Sequence, residues 1–258
     1  MLLQDKVVVI SGVGPGLGRA IAVQSAKAGA DLVLASRTES RLQEVASEVE
    51  ALGRKTLVVP TDINDDASAQ ALVDATLTHF GRIDSLVNNA FANPPLGPLQ
   101  TVDFDQARAG FETNVFAALR LTRMFVPSLK ESGGTVVMIN SSVLRHSSMP
   151  YGAYKMTKAS LLALAQSLAT ELGPQGVRVN SVAPGWIWAD TLQNYFKYLA
   201  GKRSVDPQVL YDEIANTIDL RRLPVPDEIA DAVVFMASSL SRGITGHCLD
   251  VNCGEYHH

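Results

Sequence analysis

The sequence predicts an α/β fold: a single doubly wound parallel sheet of about seven strands with helices on both faces. Three observations predict it. Short β-branched runs alternate with longer helical runs from end to end, the pattern of strands joined by crossover helices. The first such run, Lys6–Ile10, leads at once into the glycine-rich stretch Ser11-Gly-Val-Gly-Pro-Gly-Leu-Gly18 and then a helical segment. Neither an internal repeat nor a low-complexity linker divides the 258 residues, so residues 1–258 read as one domain, an ordinary size for an α/β chain.

The elements follow in order. Lys6–Ile10 is continuously apolar after its lysine and reads as a buried strand. Gly12 then allows a tight turn, Gly16 lets the backbone approach a pyrophosphate, and Gly18 lets the next helix pack close to the strand. That helix, Leu17–Ala28, ends on Gly29 and offers its N-terminal N–H groups and positive dipole end to phosphates. Gly12, Gly14, Gly16, Leu17 and Gly18 are therefore candidate cofactor contacts. Their spacing is Gly-x3-Gly-x-Gly rather than the Gly-x-Gly-x2-Gly of the common dinucleotide fingerprint. Further strands are expected at Asp31–Ala35, Thr56–Pro60, Ser85–Asn88, Thr135–Asn140, Arg178–Val182 and Cys248–Val251. Helices are expected at Glu39–Leu52, Ala67–Phe80, a long Phe104–Glu131, and Ala153–Leu172, with Gly133-Gly134 breaking the chain before the fifth strand. The longest irregular zone is roughly Trp186–Pro226, which is rich in aromatic residues.

Composition narrows the function. The chain is 47% hydrophobic and carries a net charge of −4 with no long basic run. That argues against nucleic acid or an anionic membrane as the main partner. Two cysteines, Cys248 and Cys253, do not make a disulfide framework, and no Cys/His cluster has zinc spacing, so no metal is expected. The apolar run after Lys6 is too short for a signal peptide, and no stretch of ~20 apolar residues could span a membrane. A cytoplasmic location is the expectation. His257-His258 reads equally as native sequence or a tag remnant.

The chemistry is concentrated at Tyr154 and Lys158, four residues apart on an expected helix and so on one face. A free phenol titrates near ~10, too high for proton exchange at neutral pH. A neighbouring ammonium favours the phenolate. A phenol so tuned can give a proton to a carbonyl or take one from an alcohol. Ser142, with Ser141 as the neighbouring candidate, lies before the pair and can donate a hydrogen bond to a substrate oxygen.

Taken with Asp62, Asn88-Asn89-Ala90, Asn114 and Pro184-Gly185, these motifs resemble the short-chain dehydrogenase/reductase family, in its shorter single-domain branch, over essentially the whole chain. The resemblance implies a Rossmann-like fold and reversible hydride transfer between a nicotinamide cofactor and a secondary alcohol or ketone. It implies Asn114, Ser142, Tyr154 and Lys158 as catalytic residues. Lys158 would also bond the nicotinamide ribose, and Asn114 would hold a water linking Lys158 to solvent. Asp62 and Ile63 would meet the adenine, though Asp62 could equally be a helix cap. Asn89 and Ala90 would close the fourth strand beside the cofactor. Pro184, Gly185 and the backbone of Ile187 would support the nicotinamide and its carboxamide. The chain departs from the family in carrying Phe91 where a glycine follows Asn-Asn-Ala, and in lacking the threonine after Pro184-Gly185, unless Thr191 stands in.

At the end of the second strand stand Ser36 and Arg37 rather than a carboxylate. An acidic residue there would bond a ribose 2′-hydroxyl, whereas arginine accommodates a 2′-phosphate. NADP(H) is favoured, with NAD(H) open because Pro15 replaces a second basic residue of many NADP-preferring relatives. The aromatic flap suggests an apolar substrate. Tyr151 and Lys158 are seven apart, the spacing of relatives that reduce C=C bonds, so an enoyl reductase is the first alternative and a non-catalytic nucleotide-binding protein the second. Apolar residues on more than one face of Ala153–Leu172, together with the resemblance, point to a homo-oligomer, a tetramer or a dimer.

Overall fold

The computed structural model describes residues 1–93 and 95–257. His258, half of the possible tag remnant, lies outside them. Seven strands form one parallel sheet: β1 Val7–Ser11, β2 Asp31–Ser36, β3 Thr56–Pro60, β4 Ser85–Asn88, β5 Thr135–Ile139, β6 Arg178–Pro184 and β7 Cys248–Val251. Their order is β3-β2-β1-β4-β5-β6-β7. The order reverses between β1 and β4, which pair in the register Val8↔Ser85 to Ser11↔Asn88. A crevice opens at the carboxyl ends of the strands at such a switch point.

Strand alternation divides the core in two. Val8, Ile10, Leu32 and Leu34 face helices α1 (Leu17–Lys27) and α2 (Glu39–Ala51). Val7, Val9, Val33 and Val136 face the opposite layer, which holds α3 (Asp66–Phe80). The long helix expected over Phe104–Glu131 is interrupted. It consists of α4 (Phe104–Phe111), a π turn over Glu112–Phe116, and α5 (Ala117–Ser132). The Ala117 N–H bonds to the carbonyl of Glu112, five residues back. Such single-turn bulges change which side chains share a face. α5 and α6 (Gly152–Leu172) complete the second layer.

The Trp186–Pro226 zone is not irregular. It holds two helices, α7 (Asp190–Arg203) and α8 (Pro207–Ala215), packed on a small core of their own around Phe196, Ala200 and Leu210. Asp206 caps α8 by accepting from the Gln208 N–H, and Pro207 occupies its first turn. A further helix, α9 (Pro226–Ala237), was not anticipated and covers the first layer beside α1. The Arg178 guanidinium locks its far end, donating to the carbonyls of Met236, Ser238, Ser241 and Ile244.

Candidate active site

A cavity of about 1040 Å³ occupies the crevice, large enough for a dinucleotide and a small substrate together. Gly12, Gly14, Gly16, Leu17, Gly18, Ser36, Arg37, Asp62, Ile63, Asn89, Ala90, Ser142, Tyr154, Lys158, Pro184, Gly185 and Ile187 all border it. The sheet explains the convergence: each group sits at, or just beyond, the carboxyl end of β1, β2, β3, β4, β5 or β6, or on α6 beside them.

The glycine turn is built for close approach. Gly12 has φ +84°, and a Cβ there would lie 2.4 Å from Ala90 Cα. A Cβ on Gly18 would lie 2.4 Å from the Gly12 carbonyl oxygen. Asn89 Nδ2 donates to that same carbonyl at 2.8 Å and ties the end of β4 to the turn. By contrast, a Cβ on Gly14 or Gly16 would meet nothing within 4 Å. The backbone there faces open cavity. α1 begins at Gly16 without a side-chain cap and without an acidic residue in its first turn. Its free N–H groups and dipole suit a phosphate. Asp62 accepts the Asn64 N–H at 3.0 Å, and the cap of α3 is Asp65, which accepts from the Ser68 N–H at 2.7 Å. The helix-cap reading of Asp62 is therefore replaced by a turn on the cavity wall.

At the end of β2, Ser36 Oγ is buried and has no hydrogen-bond partner. Arg37 and Arg41 flank it on the cavity rim, and neither forms an ion pair among the described residues. Arg41 was missed by sequence reasoning. It lies on the first turn of α2, where an arginine has the same composition signature as any solvated helix charge.

Lys158 is 3% exposed. Its ammonium donates to the Ile139 carbonyl at 2.8 Å, and burial pushes its pKa down to about 8. It lies 5.7 Å from the centre of the Tyr154 ring and 6.0 Å from that of Phe91. Burial pushes the Tyr154 phenol above its ordinary value, and a hydrogen bond with the Ser141 hydroxyl opposes the rise. The sequence led us to expect the reverse, a phenol drawn down by lysine. In this structure Lys158 is anchored to the end of β5, and desolvation is the main influence on the phenol.

Ser141, rather than Ser142, meets the phenol. Its backbone is extended, and its Oγ accepts the Val143 N–H at 3.3 Å, which starts the turn Ser142–Arg145. Ser142 is buried one residue further along the same wall. Asn114 does not border the cavity. It is buried in the π turn, where its Oδ1 accepts the Ala92 N–H at 2.7 Å and its Nδ2 donates to Ala92 O at 2.9 Å and Thr157 Oγ1 at 3.2 Å. The amide clamps the loop after β4 to α6, next to Lys158.

The donor set thus contains a phosphate cradle, a pair of unengaged guanidinium groups and a half-buried Tyr154 beside a buried Lys158. Among the described residues no cluster of His, Cys, Asp and Glu could hold a metal ion, and no helix is long and apolar enough to cross a membrane.

Comparison with known proteins gives a consistent answer. A family model described as enoyl-(acyl carrier protein) reductase matches residues 12–256. The chain is 30% identical to a 7alpha-hydroxysteroid dehydrogenase of Escherichia coli over 98% of its own length and 94% of that protein's. Among solved structures, L-sorbose reductase from Gluconobacter frateurii, complexed with NADPH and L-sorbose, superposes with a TM-score of 0.92 at 30% identity, covering 99% of this chain and 98% of that one. Carveol dehydrogenase from Mycobacterium avium, in complex with NAD, gives 0.92 at 26% identity, covering 98% of each chain.

Proposed function

The chain belongs to the short-chain dehydrogenase/reductase family, and on that premise we propose that it transfers a hydride reversibly between a nicotinamide cofactor and a secondary alcohol or its ketone. The observation that carries this reading is a single cavity lined both by Tyr154 with the buried Lys158 and by the uncapped start of α1. The glycine turn, α1, Asn89 and the Pro184–Ile187 turn would hold the cofactor, and the cofactor would supply or accept the hydride. Tyr154 gives its proton to the carbonyl oxygen in reduction and takes the hydroxyl proton in oxidation. Ser141 and Ser142 hold the substrate oxygen beside it. Lys158 supplies the charge that favours the phenolate, and Asn114 keeps the helix turn beneath it in place.

The seven-residue pair Tyr151–Lys158 does not have this geometry. Tyr151 also borders the cavity, and burial and Tyr195 raise its phenol. The rings nearest the ammonium are those of Tyr154 and Phe91. The named relatives are dehydrogenases and a sugar reductase, which supports the alcohol–ketone reading over C=C reduction. A panel of secondary alcohols with NADP+ and NAD+, set against an enoyl-thioester panel with the reduced cofactors, tests it. Turnover of the thioesters alone would overturn the reading.

The cofactor reading is NADP(H). Ser36 Oγ lacks a partner and two unpaired guanidiniums stand beside it, a fit for a ribose 2′-phosphate. Arg37→Ala is expected to weaken NADPH roughly tenfold or more, the loss of a charge-assisted hydrogen bond, and NADH far less. Fluorescence titration with both cofactors reads this out, and equal effects would make Arg37 a surface charge.

The substrate end is walled by Trp186, Leu192 and Tyr195 from the flap and by Phe91, which supports a substrate with an apolar body. Assembly is expected to be a homo-oligomer. Phe104, Phe116, Met156 and Leu99 are exposed apolar side chains on and beside α4 and α6, the kind of surface that a partner subunit covers. Sedimentation at micromolar concentration should show no dominant 27.6 kDa species.

A further inference from the structure

The substrate end of the cavity carries a polar cluster that the chemistry at Tyr154 does not use. After β7 the chain turns through Cys253 and Gly254, both at positive φ, and returns Glu255 to the turn that follows β6. A Cβ placed on Gly185 would lie 2.5 Å from Glu255 Oε2, so a side chain at Gly185 would displace the carboxyl. The Trp186 N–H and indole and the Tyr256 hydroxyl hydrogen-bond the carboxyl group. Even so, Oε2 is buried and has no hydrogen-bond partner. From the far side, the His146 ring stacks on Tyr256, with centroids 4.8 Å apart and planes inclined by 21°. His146, Glu255 and Tyr256 border the same cavity as Tyr154. A buried carboxyl oxygen without a partner is costly, and a ligand group that pairs it removes that cost.

We propose that Glu255 is a specificity-determining residue that pairs with a second hydroxyl of the substrate, which makes the substrate class diols and hydroxyketones rather than simple alcohols and ketones. This rests on the reading of the cavity as an alcohol–ketone site. A hydroxyl suits the position because it donates to a carboxylate and accepts from a neutral acid. Burial raises the Glu255 carboxyl from its ordinary value. An anionic substituent would meet a second negative charge there, and a hydrocarbon would leave Oε2 unpaired. The apolar body expected from the flap and a polar end at Glu255 are compatible, since Trp186 and Tyr195 line the same cavity as Glu255.

The test uses the full-length enzyme with its preferred nicotinamide cofactor, and cyclohexanol against the positional isomers of cyclohexanediol. Wild type is expected to favour at least one diol over cyclohexanol by about tenfold or more in kcat/KM, the discrimination of a site built to bond a hydroxyl. Glu255→Leu should bring that ratio close to one, chiefly by raising the KM of the diol. Glu255→Gln, which keeps a donor and an acceptor, should recover most of it. Cofactor affinity, measured by titration, should match wild type in both variants. An unchanged diol-to-cyclohexanol ratio in Glu255→Leu, a wild type that prefers cyclohexanol, or a loss of cofactor affinity in both variants would each overturn the inference while leaving the alcohol–ketone reading intact. A wild type that oxidises no member of the set overturns that reading and the inference together.

Discussion

Turnover is expected to fall ~10²- to 10⁴-fold when Tyr154 is replaced by Phe, the range lost with a positioned proton-transfer group. The change removes one oxygen atom. It leaves the ring on the wall of the cavity, the Lys158 ammonium bonded to the Ile139 carbonyl, and the Asn114 clamp on Ala92 and Thr157. The phosphate cradle lies at the other end of the cavity and is untouched. Cofactor affinity should therefore stay close to wild type while kcat collapses, the signature of an interaction made only in the transition state. A variant with near wild-type kcat would move the proton transfer to another residue, with Tyr151 the first to examine.

Lys158→Met should act in two opposite senses. Rate and cofactor affinity should both fall, because the charge that favours the phenolate and the expected ribose contact go together. The folded protein without cofactor should nevertheless become more stable at neutral pH. Burial holds this lysine at about 8 against an ordinary 10.5, a penalty of roughly 3 kcal/mol on the charged form. Losing its hydrogen bond to Ile139 offsets ~1 kcal/mol of the gain. Below about pH 8 both native and unfolded chains keep the proton, and the penalty is felt in full. Between about 8 and 10.5 the native lysine gives up its proton before the unfolded one does. Wild type therefore gains relative stability as the pH rises across that interval, and the advantage of the variant shrinks. Urea unfolding of both proteins at pH 7 and at pH 10 measures the difference. An advantage that grows with pH would contradict a lysine buried with its charge.

The sheet was legible because its strands are runs that little else can form. Val7-Val-Val-Ile10 and Thr135-Val-Val-Met-Ile139 are β-branched and bounded by turn residues, and each predicted boundary lies within two residues of the observed one. The furthest off is β6, which runs two residues past its expected end, to Pro184. The π turn left no mark in composition, because an i→i+5 bond needs no special residue. It is nevertheless what buries Asn114 behind Ala92. α7 and α8 were hidden for another reason. Their apolar residues face each other across a small core of their own, and no flanking strand run frames them as crossover helices. The cavity groups that came from spacing alone, Tyr154 and Lys158, lie on one helix. Those that were missed reach the site from elsewhere: Arg41 from the first turn of α2, His146 from the loop after β5, and Glu255 and Tyr256 from the tail. Spacing along a chain is silent about groups joined only by the fold. The choice between Ser141 and Ser142 fell in the same gap, since it depends on how the backbone leaves β5.

The separate packing of the flap has a consequence for how this scaffold can change. Phe196, Ala200 and Leu210 share few neighbours with the residues that fill the two layers against the sheet. Substitutions in structurally independent groups combine nearly additively. A lineage can thus retailor what enters the cavity through α7 and α8 without each trial disturbing the sheet, the glycine turn and the helix that bears Tyr154 and Lys158. Substrate range and reaction chemistry become separately heritable traits of one chain.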